Sequence, residues 1–131
     1  MATASNVYET YKKQGVMTAS PIELVILLYD GCLRQLRAAK MCILNKNYED
    51  ANQALQKAQD IVTELSSSLD CRIGLSRQLM QIYDYVTWKM REINASKQAE
   101  GIDEISGLLS ELKDAWAKIK ASCSIAYSQE G

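Results

Sequence analysis

A chain of 131 residues, 47% of them apolar, is one ordinary domain, long enough to bury a real core and too apolar to stay disordered. Fifteen Lys and Arg stand against sixteen Asp and Glu with the signs interspersed, which argues against nucleic acid as the main partner. Histidine is absent, which excludes histidine-based triads, phosphohistidine transfer, nearly all zinc sites and the Glu-x-x-His motif of di-iron bundles. One proline and six glycines leave few helix breakers. No apolar run approaches the ~20 residues that span a bilayer, and MATASNVYETYKKQG lacks the basic-then-apolar layout of a signal peptide. A cytoplasmic protein with no membrane insertion and no cofactor is expected.

Residues 1–17 show little periodicity but carry Val7, Tyr8, Tyr11, Val16 and Met17 among polar residues. They read either as a loose tail or as an arm whose tyrosines, three apart, share one helical turn and dock on the domain. Residues 18–131 then form a single helical domain. Ser20, Pro21 and Glu23 fit a capping box, so a first helix is predicted from about Pro21 to Leu44. Six apolar residues follow in a row from Leu24 to Tyr29. Winding at about 100° per residue sets Ile22, Val25, Ile26, Tyr29, Leu33, Leu36 and Ile43 on one face and Leu24, Leu27, Leu28, Gly31, Ala38 and Cys42 on the other. Only Glu23, Asp30, Arg34 and Arg37 form a polar strip, so the apolar arc is roughly 260°, about twice what one buried face needs. This helix must be covered from two directions.

The second helix reads YEDANQALQKAQDIVTELSSSLD, capped by Asn47, with Ala51, Ala54, Leu55, Ala58, Ile61, Val62, Leu65 and Leu69 in one stripe. Ser66–Ser68 and Asp70 signal a loop through Gly74. The third helix covers roughly Leu75 to Ser96, its core stripe being Leu79, Ile82, Tyr83, Val86, Met90 and Ile93. Tyr85 and Trp88 point away from that stripe, either to pack on the tail or a loop or sit partly exposed, or to meet a partner. Ala99-Glu100-Gly101 is expected to turn the chain. A fourth helix from about Ile102 to the Ser122–Tyr127 region carries Ile102, Ile105, Leu108, Leu109, Leu112, Ala115, Trp116, Ile119 and Cys123 on one stripe. Four amphipathic helices of similar length with short links predict an all-α, antiparallel up-down-up-down four-helix bundle, some 33–36 Å long at ~1.5 Å per residue.

Catalysis finds no purchase. The carboxylate pairs Glu49/Asp50 and Asp103/Glu104 sit near helix starts, where the helix dipole accounts for them. No catalytic residue, metal ligand or cofactor-binding residue is identified, and Cys32, Cys42, Cys71 and Cys123 contain no CxxC, so buried reduced thiols are expected. The surplus apolar surface points instead to binding, with Tyr8, Tyr11, Leu24, Leu27, Leu28, Gly31, Tyr85 and Trp88 as the candidate surface. Gly31, mid-helix at about 1 kcal/mol against Ala, suggests close approach of another backbone, the alternative being a solvent-side glycine that is merely tolerated.

The blocks YETYKKQGVMTASP, ELVILLYDGCLRQLRAA, AQDIVTELSSSLD, LMQIYDYV and LLSELKDAW, in that order over nearly the whole chain, resemble the flagellar secretion chaperone family, FliS. The resemblance implies a four-helix bundle capped by the N-terminal arm. It implies a client, the disordered C-terminal segment of flagellin, which folds into helices as it wraps the bundle and is thereby kept from premature polymerisation. It implies delivery to the flagellar type III export gate, with other flagellar regulators as further partners, and an arm bearing Tyr8 and Tyr11 that covers part of the client groove when no client is bound. The alternative is a self-associating structural bundle whose extra face is a homodimer interface.

Overall fold

A computed structural model describes residues 21–69 and 74–130, and the side chains of residues 22–69 and 74–121. The expected arm with Tyr8 and Tyr11, the capping Ser20, Cys71 and the side chain of Cys123 lie outside these described residues. Among the described residues four helices carry the fold: α1 Pro21–Leu44, α2 Tyr48–Ser67, α3 Gly74–Ser96 and α4 Glu100–Glu130. Among the described residues there is no strand, and the fold is an all-α four-helix bundle.

The helix ends follow from local chemistry. α1 stops where Lys46 enters the left-handed region at φ 60°. The Asn47 amide then bonds back to Cys42 O at 2.8 Å and the Lys46 amide to Ile43 O at 3.0 Å, satisfying two of the helix's terminal carbonyls. Asn47 caps α2, its side chain accepting from the Asp50 amide, with Glu49 and Asp50 at the positive end of the dipole. α3 ends in a similar way, with Lys97 at φ 56° and its amide on Ile93 O at 2.7 Å. The second turn thus falls at residues 97–99, two residues earlier than the sequence predicts. Gly101, expected in that turn, lies instead in the first turn of α4. A Cβ there would sit 3.0 Å from Lys89 Cε and 3.1 Å from Ile93 Cδ1, so this glycine is what lets α4 start hard against α3.

α1 packs against α2 and α4, and α3 packs against the same two helices, which sets α1 and α3 across the diagonal. The α1–α2 seam is the most extensive and the α3–α4 seam the slightest. Tyr29 of α1 and Tyr83 of α3 reach across the centre, their hydroxyls hydrogen-bonded at 2.5 Å and their rings 6.4 Å apart. Around them lie Leu36, Leu55, Val62, Leu65, Val86, Met90, Ile102, Ile105 and Leu109, each with at most 1% of its surface exposed. Their burial, at about 1.5–3 kcal/mol per large apolar side chain, is the main force holding the bundle. The pairing of the two hydroxyls removes the desolvation cost either would pay alone.

Among the described residues three ion pairs cross the α1–α4 seam: Lys120–Glu23 at 3.3 Å, Lys113–Asp30 at 2.5 Å and Lys40–Asp103 at 2.8 Å. Seven residues and then ten separate successive members on both helices, so the antiparallel register is held constant over the whole of α1.

Some stripe assignments shift. Leu28, placed by winding on the second face of α1, packs on the core from the α2 side, whereas Ile26, placed on the first, is half-buried and outside the core cluster. Cys32 is fully buried. In α4, Ala115 and Ile119 keep the core spacing but are exposed. At about 100° per residue both fall in line with Gly101 and Glu104, on the side of α4 turned to α3. The α3–α4 seam is the slightest of the four, so little covers them there.

Candidate binding surface

Core side chains occupy α1 at Tyr29, Cys32, Leu36, Ala39 and Ile43. At about 100° per residue, Leu27 stands opposite the middle of that set, with Leu24 and Gly31 turned toward α2. Leu24, Leu27 and Leu28 are all half-buried. Leu28 rests on the core, while Leu24 and Leu27 lie outside the core cluster. Gly31 lies over α2, where a Cβ would meet Ile61 Cδ1 at 3.4 Å, an ordinary contact. The α1–α2 packing therefore does not demand a glycine there, in contrast to Gly101. Farther along the same outward line come exposed Arg34, Ala38 and Met41.

The other sequence candidates stand elsewhere. Tyr85 and Trp88 are 40% and 56% exposed on α3, with ring centroids 6.1 Å apart. The Tyr85 hydroxyl donates to Glu104 Oε1 of α4, and that hydrogen bond is the chief reason its pKa is raised, with the charges of Glu104 and Glu92 adding to it. Lys89 Nζ lies 5.9 Å from the centroid of the Trp88 ring and 4.0 Å from Glu104. Because α1 and α3 are diagonal, the structure does not bring the α1 leucines and the α3 aromatics into one groove. They form two surfaces on opposite sides of the bundle.

A third apolar feature was not apparent from sequence. A cleft of about 180 Å³ opens among Ile22, Val25, Leu65, Leu69, Tyr83 and Trp116, where α1 begins and α2 ends. Each of these residues belongs to a core stripe. Stripe membership reads as core in the sequence, so nothing there marks the opening.

Burial, not a reactive partner, governs the central titratable groups. Burial pushes the Cys32 thiol up to about 12, so it stays protonated and donates weakly to Ala58 O at 3.8 Å. Burial likewise raises Tyr29, outweighing its hydrogen bonds with Tyr83 and Trp116, and raises Tyr83. Among the described residues no group of three or more Cys, Asp or Glu could hold a metal, and no helix is long and apolar enough to cross a membrane.

The exposed Tyr85–Trp88 pair and the half-buried Leu24 and Leu27 leave apolar surface on two sides of the bundle. The model of the family described as flagellar protein FliS matches residues 4–123. The chain belongs to the FliS family. It is 36% identical over 111 residues to the flagellar secretion chaperone FliS of Bacillus subtilis (strain 168), covering 85% of this chain and 84% of that one. It is 31% identical over 120 residues to the flagellar secretion chaperone FliS of Salmonella typhimurium, covering 89% of each. Among solved structures, a bacterial flagellar chaperone superposes with a TM-score of 0.75 at 22% identity, covering 90% of this chain and 98% of that one, a likeness of fold. The relatives are named as chaperones, not as enzymes.

Proposed function

We propose that this FliS-family chain is a cytoplasmic export chaperone. It binds the disordered C-terminal segment of flagellin, keeps that segment from polymerising prematurely and delivers it to the flagellar type III export apparatus. Family membership carries the reading, and one observation supports a site for it: Leu24 and Leu27 are apolar, half-buried and outside the core cluster. Each is only half-buried in the bundle, and a docked helix covering the rest would add part of the about 1.5–3 kcal/mol that a fully buried side chain gains. The test is Leu27→Asp, with calorimetric titration of the C-terminal segment of the cognate flagellin. Affinity should fall by a hundredfold or more while the melting temperature changes little. A folded variant that binds as tightly as the parent removes α1 from the binding surface.

Self-association is the second reading, favoured by the 56% exposure of Trp88 beside Tyr85. A constant dimeric mass at low micromolar concentration, unaltered by the flagellin segment, would select it.

A further inference from the structure

The outward line of α1 is apolar at both ends and charged in its middle. Leu27 and Met41 stand seven residues either side of Arg34, with Gly31 and Ala38 flanking it, so a helix laid along α1 must pass over the Arg34 guanidinium. Arg34 and Arg37 are exposed, and neither forms an ion pair within 4.0 Å among the described residues. Both line a groove of about 390 Å³ between α1 and α4, with Leu33, Asp30, Ser110, Lys113 and Asp114. Asp30 is already taken by Lys113 at 2.5 Å, so the groove holds two unpaired arginines against the single carboxylate of Asp114. Covering an arginine without pairing it strips its water and returns nothing, a cost that would offset much of what the flanking leucine gains.

We propose that the segment docking on α1 is an amphipathic helix with a carboxylate opposite Arg34, accepted by the guanidinium fork, and that Arg34 sets which stretch of the client seats there. The inference rests on the client-binding reading of α1 and deepens it: the partner is an acidic amphipathic helix, not any apolar one. Arginine suits the role because its planar fork pairs bidentately with a carboxylate, which fixes rotation and register as well as charge.

The decisive variant is Arg34→Met, which keeps length and helix propensity and removes the charge. Titrated with the flagellin C-terminal segment, it should bind about ten- to a hundredfold more weakly, the range for losing one charge-assisted hydrogen bond. Arg34→Lys should lose only a few-fold. The parent's affinity should weaken between 50 and 500 mM NaCl more steeply than that of Arg34→Met. The same segment with every Asp and Glu changed to Asn and Gln should no longer distinguish the parent from Arg34→Met. Equal or tighter binding by Arg34→Met would overturn the proposal, since it would mean the guanidinium was a burden to the complex. A neutralised segment that still prefers the parent would also overturn it, by moving the contact to the main-chain carboxyl end of a helix. Leu27→Asp separates the two levels: if it abolishes binding while Arg34→Met does not weaken it, the α1 surface stands and the carboxylate falls.

Discussion

Gly31→Ala turns the geometry of α1 into a signed prediction. A methyl group at this position would meet Ile61 Cδ1 at 3.4 Å and the Arg34 guanidinium at 3.8 Å, both contacts a folded protein accepts. The bundle therefore keeps its shape and gains the difference in helix propensity, about 0.8–1 kcal/mol. For a domain of this size that is a rise of roughly 3–5 °C in melting temperature. Binding should move the other way. If a partner's backbone crosses α1 at Gly31, the added methyl forces it outward, and affinity for the flagellin segment should fall by about tenfold or more, the cost of an overpacked contact. The assays are thermal denaturation followed by circular dichroism and calorimetric titration. Two other glycines calibrate the result. Around Gly107, on the outside of α4, a Cβ would meet nothing within 4 Å, so Gly107→Ala should stabilise by a similar amount. At Gly101 the Cβ would press on Ile93, which is 3% exposed and has no room to yield, so Gly101→Ala should destabilise by about 1 kcal/mol net. A fall in melting temperature for Gly31→Ala would show that α1 and α2 need the glycine for their own packing. Stabilisation with unchanged affinity would take Gly31 off the binding surface.

Two further predictions concern the bundle itself. Tyr29, Tyr83 and Cys32 all have raised folded pKa values, so their contribution to stability is complete below the ordinary tyrosine and thiol range and is lost as pH climbs above about 9. Urea midpoints should therefore fall steeply from pH 9 to 11, and the double variant Tyr29→Phe/Tyr83→Phe, which removes both hydroxyls together, should flatten that fall while costing little at pH 7. Changing Lys40, Lys113 and Lys120 together to Gln should cost no more than about 1–2 kcal/mol in urea denaturation at low salt, and less at 0.5 M NaCl, because every partner in these pairs is at least a third exposed.

Much of the fold was legible because helix signals are local. The spans of α1, α2 and α3 follow from Pro21, from the Asn45–Asn47 turn, and from the gap between Ser68 and Gly74. The central tyrosines fall on their stripes by simple winding. What winding cannot supply is the rotational setting of each helix among its neighbours. It put Leu28 and Ile26 on the wrong sides because the boundary between core and surface on α1 is drawn by α2 and α4, not by α1. It also grouped Tyr85 and Trp88 with the α1 leucines, since surplus apolar surface carries no label for the side of the bundle it occupies. Their separation follows from the neighbour order, which places α1 and α3 diagonally. The turn before α4 was misplaced for a related reason. Gly101 reads locally as a chain reversal, and only the proximity of Lys89 and Ile93 shows that it makes room for packing.

The spacing of the three lysine–carboxylate contacts between α1 and α4 has a consequence separate from their energy. Slide α4 by four residues in one direction and Lys40, Asp30 and Glu23 would face Gly107, Ala117 and Ser124; slide it in the other and they would face Ala99, Leu109 and Trp116. Neither displacement finds a single opposite charge, and several of the new neighbours are greasy. Individually worth little, the contacts act together like the teeth of a key, penalising a four-residue slip in either direction at three points at once. Along this edge the two helices close in one register.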